Sequence, residues 1–309
     1  MKYSGIGGQA VMEGVMMKNQ DRYAVAVRKP DGEIAVEKKD YKGLIKNRIV
    51  RNIPIIRGVF SFMESLVLGI STLTYSASFY EDEEEDKSSK LDEEAKQKKE
   101  KREMGITIAV SFLIAVAVFM VLPYYLSMVF QKVVTSHVLL ALIEGLIRLV
   151  IFLAYITLVS RMEDIQRVFM YHGAEHKCIN CIEHGMELNT DNVRKSSRLH
   201  KRCGTSFLLF VMVVSIIFFA FIDVKSRIIK VVLRLALIPV IAGVSYELIK
   251  FAGKHDNPLV NMISKPGMWL QRITTREPDD SMIEVGIASV EAVFDWRQYL
   301  KEMEKESIV

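Results

Sequence analysis

Four long apolar runs separate the polar segments of the chain, at 105–130, 138–160, 205–222 and 231–252, the first without a single charge. At about 1.5 Å per residue each approaches the roughly 30 Å of a hydrocarbon core, and each is apolar all round, which predicts four membrane-spanning helices. A fifth apolar segment, 58–80, has Glu64 as its one charge. Counted as a span, it would carry a basic N-terminal segment across the bilayer, so a re-entrant or interfacial helix is expected there. Gly58, Gly69 and many Ser and Thr suit that segment to close helix packing.

The polar segments have patterns of their own. Residues 23–41 alternate apolar and polar positions on both sides of Pro30-Asp31-Gly32, which predicts a β-hairpin. Residues 81–103 form a charge run, acidic first and basic last, expected as a disordered or frayed helical linker. Apolar positions at helical spacing in 281–303 predict one final helix on a cytoplasmic layer.

Half the residues are hydrophobic and the mean hydropathy is +0.19, in keeping with a membrane protein. Residues 1–54 hold eleven Lys and Arg and residues 161–204 hold eight, so the positive-inside rule places the large polar segments in the cytoplasm. The opening MKYSGIGGQAVMEG lacks the apolar stretch of a secretory signal and is read as structural. The expected fold is mainly α: a polytopic membrane helical bundle of four spans plus the re-entrant or interfacial helix, with a small cytoplasmic α+β layer that includes the N-terminal hairpin. Its segments are 1–54, the 55–80 helix, the 81–104 linker, a membrane hairpin at 105–160, a cytoplasmic His/Cys segment at 161–204, a second membrane hairpin at 205–252 and a cytoplasmic segment at 253–309. The net charge of +4 is modest and predicts no nucleic-acid partner.

Chemistry concentrates in one place. All three cysteines and four of the six histidines lie within residues 172–203. In YHGAEHK, His172, Glu175 and His176 share one face of a helix expected to continue from the second span, and H-x-x-E-H is the inverted form of a zinc-protease signature in which two His bind metal and the Glu polarises water. An overlapping reading pairs Cys178-x-x-Cys181 with His200-x-x-Cys203 as a closed Cys3His site, for which zinc is the expected metal. Three cysteines are an odd number, which favours free thiols or ligands over a disulfide framework.

Four motifs, GGQAVMEGVMM (7–17), YHGAEHK (171–177), SRLHKRCGTSFL (197–208) and QRITTREPDD (271–280), occur in this order around the membrane segments. In them the chain resembles the YqhQ-like family of bacterial membrane proteins, over nearly its whole length. The resemblance implies a bacterial cytoplasmic-membrane protein of an uncharacterised family that carries the label of metal-dependent enzyme. It also favours His172, Glu175, His176, His200 and Cys203 as the shared site and makes Cys178 and Cys181 accessory.

Other positions invite roles. Glu13, among Gly7, Gly8 and Gly14, is a candidate acidic ligand or general base, or part of a turn docked on the rest of the chain. Glu144 and Arg148 are expected to pair at i,i+4 inside the second span; Arg57, Glu64, Arg234 and Glu247 add charge near the membrane and point to a hydrated cavity. The stretch 271–280 reads as a phosphate or cation site or as a salt-bridged loop. Two functions stay open. One is a metal-dependent hydrolase acting on a membrane-associated substrate, with Glu175 or Glu13 activating water. The other is a non-enzymatic scaffold, pore or accessory subunit whose His/Cys segment is structural. The expected partners are the lipid bilayer and a second copy or another membrane protein.

Overall fold

A computed structural model of the protein describes residues 3–41, 43, 52–80, 90–222, 224, 226–254 and 257–308. The acidic half of the linker, 81–89, and His255 lie outside the described residues. The chain forms two compact units, one of residues 1–80, 156–214 and 237–309 and the other of 81–155 and 215–236.

The first unit opens with a four-stranded antiparallel meander, β1 (Ile6–Val11), β2 (Gly14–Asn19), β3 (Arg22–Arg28) and β4 (Ile34–Asp40), in the order β1-β2-β3-β4. The expected hairpin is β3–β4, paired from Arg22↔Asp40 to Arg28↔Ile34. The glycine-rich motif before it adds a second hairpin, β1–β2, from Ile6↔Asn19 to Val11↔Gly14. Gly14 fits there because a Cβ would stand 2.4 Å from the Ala26 carbonyl on β3.

Both faces of this sheet are covered, so β3 is apolar at every position from Tyr23 to Val27, without the expected alternation. Val15, Met17 and Ala26 join a core with Tyr171, Ile179 and Ile182 of α5 (Glu163–Glu183) and Ile283 of α10 (Asp280–Val293). Val11, Met16, Val25 and Val27 point the other way, against Leu68 of α1 (Ile56–Ala77). Each fully buried aliphatic side chain stabilises by about 1.5–3 kcal/mol, so this double packing fixes β1 firmly between α1 and α5.

Helix α1 runs unbroken for 22 residues and meets the length and apolar composition of a span. Three more stretches do so: Arg102–Lys132, His137–Val159 and Ile228–Gly253. They belong to α2 (Lys90–Val116) with its continuation, α4 (His137–Val159) and α8 (Arg227–Lys254). The basic half of the linker is thus already part of α2. The expected span at 205–222 is the shorter α7 (Gly204–Ala220), whose 17 residues reach only about 25 Å at the α-helical rise.

In the second unit α2 passes through a π-helical turn, Ala117–Val121, into α3 (Leu122–Ser127). Pro123 has no N–H to give the Phe119 carbonyl four residues earlier, and Arg148 Nε donates to that oxygen at 2.9 Å instead. The same guanidinium reaches Ser215 Oγ at 2.9 Å and Glu144 at 2.8 Å, while Arg234 holds both Glu144 oxygens at 2.6 and 2.8 Å. The i,i+4 pair expected at Glu144 and Arg148 is present, buried and extended by a second arginine. In the first unit Arg57 and Glu247 form a further pair. Glu144, Arg148 and Arg234, and separately Arg57 and Glu247, are thus paired with one another.

Two helix boundaries differ from expectation. α5 does not continue α4: Ser160–Met162 interrupt, with Met162 extended at ψ 134°. The single final helix is two, α10 and α11 (Trp296–Ile308), because Phe294 is extended and Asp295 accepts from the Gln298 N–H at 3.0 Å to start a new helix. Between α5 and α7 runs α6 (Thr190–Lys195), and α9 (Pro258–Thr274) precedes the 275–279 strap.

Candidate metal centre

The long α5 carries YHGAEHKCIN, and its side chains bind a loop rather than merely facing one. Lys177 is buried and donates to the carbonyls of Arg194 and Ser196 at 2.8 and 2.9 Å. Asn180 donates to those of Ser197 and Leu199 at 2.6 and 3.0 Å, and His176 Nδ1 meets that of Arg198 at 2.6 Å. Five carbonyls in a six-residue stretch are therefore satisfied by one helix, which positions the chain just before Cys203. From the other side Gln271 of α9 accepts from His200 N at 2.8 Å and donates to His200 O at 2.7 Å, so its amide clamps the same backbone.

This arrangement brings Cys203 to the N-cap of α7, where the Thr205 N–H donates to its sulfur at 3.4 Å and the Thr205 hydroxyl lies 3.1 Å away. His172 Nε2 stands 3.2 Å from that sulfur. Among the described residues His172, His176 and Cys203 form a group whose ligand atoms all lie within 4.8 Å of one another. The Nδ1 of His172 is 2.9 Å from the Thr274 carbonyl and that of His176 faces Arg198 O. A carbonyl can only accept, so both Nδ1 atoms carry the proton and both Nε2 atoms are the ones turned to a metal.

The electrostatics couple the same side chains to one another. Burial alone would raise the Cys203 thiol, but His172 and His176 outweigh it and hold the thiol well below its ordinary range. Burial works against a proton on His172 as well, yet the Cys203 sulfur and then Glu175 push that imidazole up to about 9. Glu175 lies 4.0 Å from His172 Nε2, and burial pushes its carboxyl up against the pull of the two histidines. The Gly8 N–H of β1 supports the carboxylate, and Gly8 has no room for a side chain: a Cβ there would sit 2.8 Å from Glu175 Cγ and 2.7 Å from the Met16 carbonyl. The glycine motif and the histidine motif thus meet at this contact. The group opens on a cavity of about 700 Å³ lined also by Gln9, Phe62, Leu68, Phe169 and Tyr246.

Not every candidate joins it. His200 borders the cavity, but its Nε2 lies 3.4 Å from Glu183 and 3.3 Å from Arg202. Glu183 is fully buried, and His200, Arg202 and Ser4 together overcome burial and hold its carboxyl at about 2. His200 is therefore part of a structural ion network. Cys178 and Cys181 sit in the apolar core, where Cys178 Sγ packs against Gly286 of α10 and Cys181 Sγ faces the Glu187 carbonyl at 3.4 Å. Burial pushes Cys178 up and Cys181 up to about 11, the reverse of what a ligand thiolate requires. The closed Cys3His reading is corrected accordingly.

Glu13 is also elsewhere: it forms a two-pronged ion pair with Arg167 and accepts from the Tyr171 hydroxyl at 3.2 Å. Its backbone is left-handed at φ 48°, a cost that an Asn or Gly would not bear and that keeps the carboxylate on α5. It docks the β1–β2 hairpin, and it is neither ligand nor base. In the 271–280 stretch Arg276 donates to Gln166 and to Ser160 O, Arg194 binds Asp280, and Asp279 caps α10 through Met282 N at 2.9 Å. Gly173 lets this strap cross α5, since a Cβ would stand 2.0 Å from the Arg276 carbonyl. The supporting roles of Lys177, Asn180 and Gln271 were not predicted from the sequence, although Asn180, four residues past His176, falls near the ligand face.

The family described as "Protein of unknown function (DUF1385)" matches residues 53–296. The chain is 38% identical over 289 residues to "Uncharacterized protein YqhQ" of Bacillus subtilis (strain 168), covering 92% of this chain and 90% of that one. No solved structure matches.

Proposed function

The chain belongs to the DUF1385 family, and on that premise we propose that it is a membrane-embedded, metal-dependent hydrolase acting on a membrane-associated substrate. The observation that carries this reading is the convergence of two imidazole Nε2 atoms and one thiolate beside a buried carboxyl at the wall of an apolar cavity.

The donor set fits a divalent metal, with zinc preferred, because imidazole and thiolate are its usual protein ligands. Three protein ligands is also the count of catalytic zinc sites, whereas structural ones take four. His172, His176 and Cys203 would hold the ion; when bound, it supplies a water acidic enough to attack near neutral pH and polarises a carbonyl or phosphoryl oxygen. Glu175 takes and returns the proton, its carboxyl raised by burial toward the working pH. Gly8 orients that carboxylate, and the apolar walls at Phe62, Leu68 and Phe169 admit a hydrocarbon-bearing substrate and exclude bulk water. The count of basic residues in the polar segments supports, by the positive-inside rule, a site that opens toward the cytoplasmic side of a bacterial inner membrane.

A structural staple is the second reading, favoured by the way His172, Cys203 and Thr274 O tie α5, α7 and α9 together. Purified chain, reconstituted in membrane lipid and offered ester- and amide-linked lipids, separates the two. Hydrolysis that a chelator and Glu175→Gln both abolish supports the enzyme. Metal-bound, folded chain with no hydrolysis and an unaltered cellular function in Glu175→Gln supports the staple.

A further inference from the structure

Helix α9 carries apolar residues on its outer side as well as its inner one. The side it presents to the protein is mixed: Ser264, Gly267, Gln271 and Thr274 are buried there beside Val260 and Leu270. The side it presents outward is apolar, with Leu259 61%, Met262 59%, Ile263 47% and Trp269 53% exposed. At 100° per residue these four fall within about a third of the helix circumference, with Lys265 and Arg272 along one edge. Water-facing helices carry the opposite pattern, and an apolar face bordered by cations and a tryptophan is that of a helix lying in a membrane interface.

Arg272 leads into a second cavity, of about 550 Å³, lined by Ser160, Arg198, Arg272, Thr275, Arg276 and Glu277. Ser160 directly follows α4, one of the helices apolar enough to cross the bilayer. Arg198 and Arg276 are held in place, by Thr275 and Glu277 and by Gln166 and Ser160 O respectively. Arg272 is exposed, and among the described residues no hydrogen bond or ion pair holds its guanidinium. Three arginines thus face one carboxylate, Glu277, which Lys177 also binds at 2.8 Å.

We infer that the outer face of α9 lies against the bilayer and that the Arg198/Arg272/Arg276 cavity receives the phosphate of an anionic phospholipid. Fixed guanidinium groups offer paired donors to phosphate oxygens, and the free Arg272 closes on them. The lipid's acyl chains lie along Leu259, Met262, Ile263 and Trp269. This site is separate from the His/Cys cluster and does not depend on its chemistry.

The test uses the fluorescence of Trp269 in full-length chain reconstituted in phosphatidylcholine vesicles. A minor fraction of the lipid is brominated in its acyl chains, as phosphatidylglycerol in one sample and phosphatidylcholine in the other. Trp296, the other tryptophan, is buried, and Trp269→Phe identifies its residual signal. Stronger quenching by the brominated phosphatidylglycerol is expected, and Arg272→Gln should reduce that preference about fivefold, near 1 kcal/mol for one arginine. Arg272 is exposed and supports no described contact, so this variant should fold as the wild type does. Absence of Trp269 quenching by either lipid, equal quenching by both, or a preference that survives Arg272→Gln would each overturn the inference.

Discussion

His172 Nε2 lies 3.2 Å from Cys203 Sγ, across 31 residues of chain. That contact joins two motifs that carry no shared periodicity, and it exists because α5 binds the carbonyls of residues 194–199 and so delivers the N-cap of α7 to its own histidine face.

Gln271 should matter more than its distance from the metal atoms implies. Gln271→Leu leaves the buried His200 N–H and carbonyl without partners and frees Ser206 Oγ. A loss of about 2–4 kcal/mol is expected, with weaker metal retention, since each orphaned buried group costs about 1–3 kcal/mol. Thermal unfolding and metal content of the variant check this; an unchanged melting temperature would show that the clamp is idle.

Gly8→Ala should disturb the site through packing. The added methyl meets Glu175 Cγ and the Met16 carbonyl well inside contact distance. A cost of about 1–3 kcal/mol is expected from overpacking, together with a displaced Glu175. Gly7→Ala, where a Cβ meets nothing within 4 Å, is the control and should melt like wild type.

Glu13 and Glu175 should separate cleanly. Glu13→Gln removes an ion pair to a half-exposed Arg167, worth at most about 1 kcal/mol after solvent screening, and should leave metal content and turnover intact. Glu175→Gln should keep the metal and lose turnover by about two to four orders of magnitude, the usual contribution of a positioned general base. Metal stoichiometry beside turnover for both variants decides; equal losses would return Glu13 to the site.

Acid stability should report Glu183. Its carboxyl is held at about 2 against an ordinary 4.5, so the folded state binds its proton less readily than the unfolded chain. The resulting stabilisation, about 3 kcal/mol, is fully present above pH 4.5 and is lost as the pH falls toward 2. Glu183→Gln should be less stable near neutrality and show a flatter dependence over that interval, measured by denaturant unfolding at several pH values.

Much of this was legible in the sequence. The apolar runs marked the long helices because length and composition suffice for them, and the β3–β4 hairpin followed from two strand-like runs on either side of Pro30-Asp31-Gly32. His172, Glu175 and His176 could be placed together because helical spacing is local. The β1–β2 hairpin was hidden by its own glycines: Gly8 and Gly14 weaken strand propensity, and their reason is contact with Glu175 and β3, which only tertiary structure shows. Cys178 and Cys181 misled because C-x-x-C reads as a ligand pair in a loop. On α5 they fall on the face opposite His172 and His176, and there they are core. Cys203 was legible as a ligand, whereas His200, three residues earlier in a turn, took its role from Glu183 and Arg202, partners that no local spacing could reveal.

Elemental analysis of detergent-purified chain, wild type beside His176→Ala and Cys178→Ser, reads out the proposed metal site of His172, His176 and Cys203. One equivalent of a transition metal, zinc foremost, is expected in wild type and Cys178→Ser, with its loss in folded His176→Ala. Metal-free folded wild type, or metal lost in Cys178→Ser and kept in His176→Ala, would contradict this expectation.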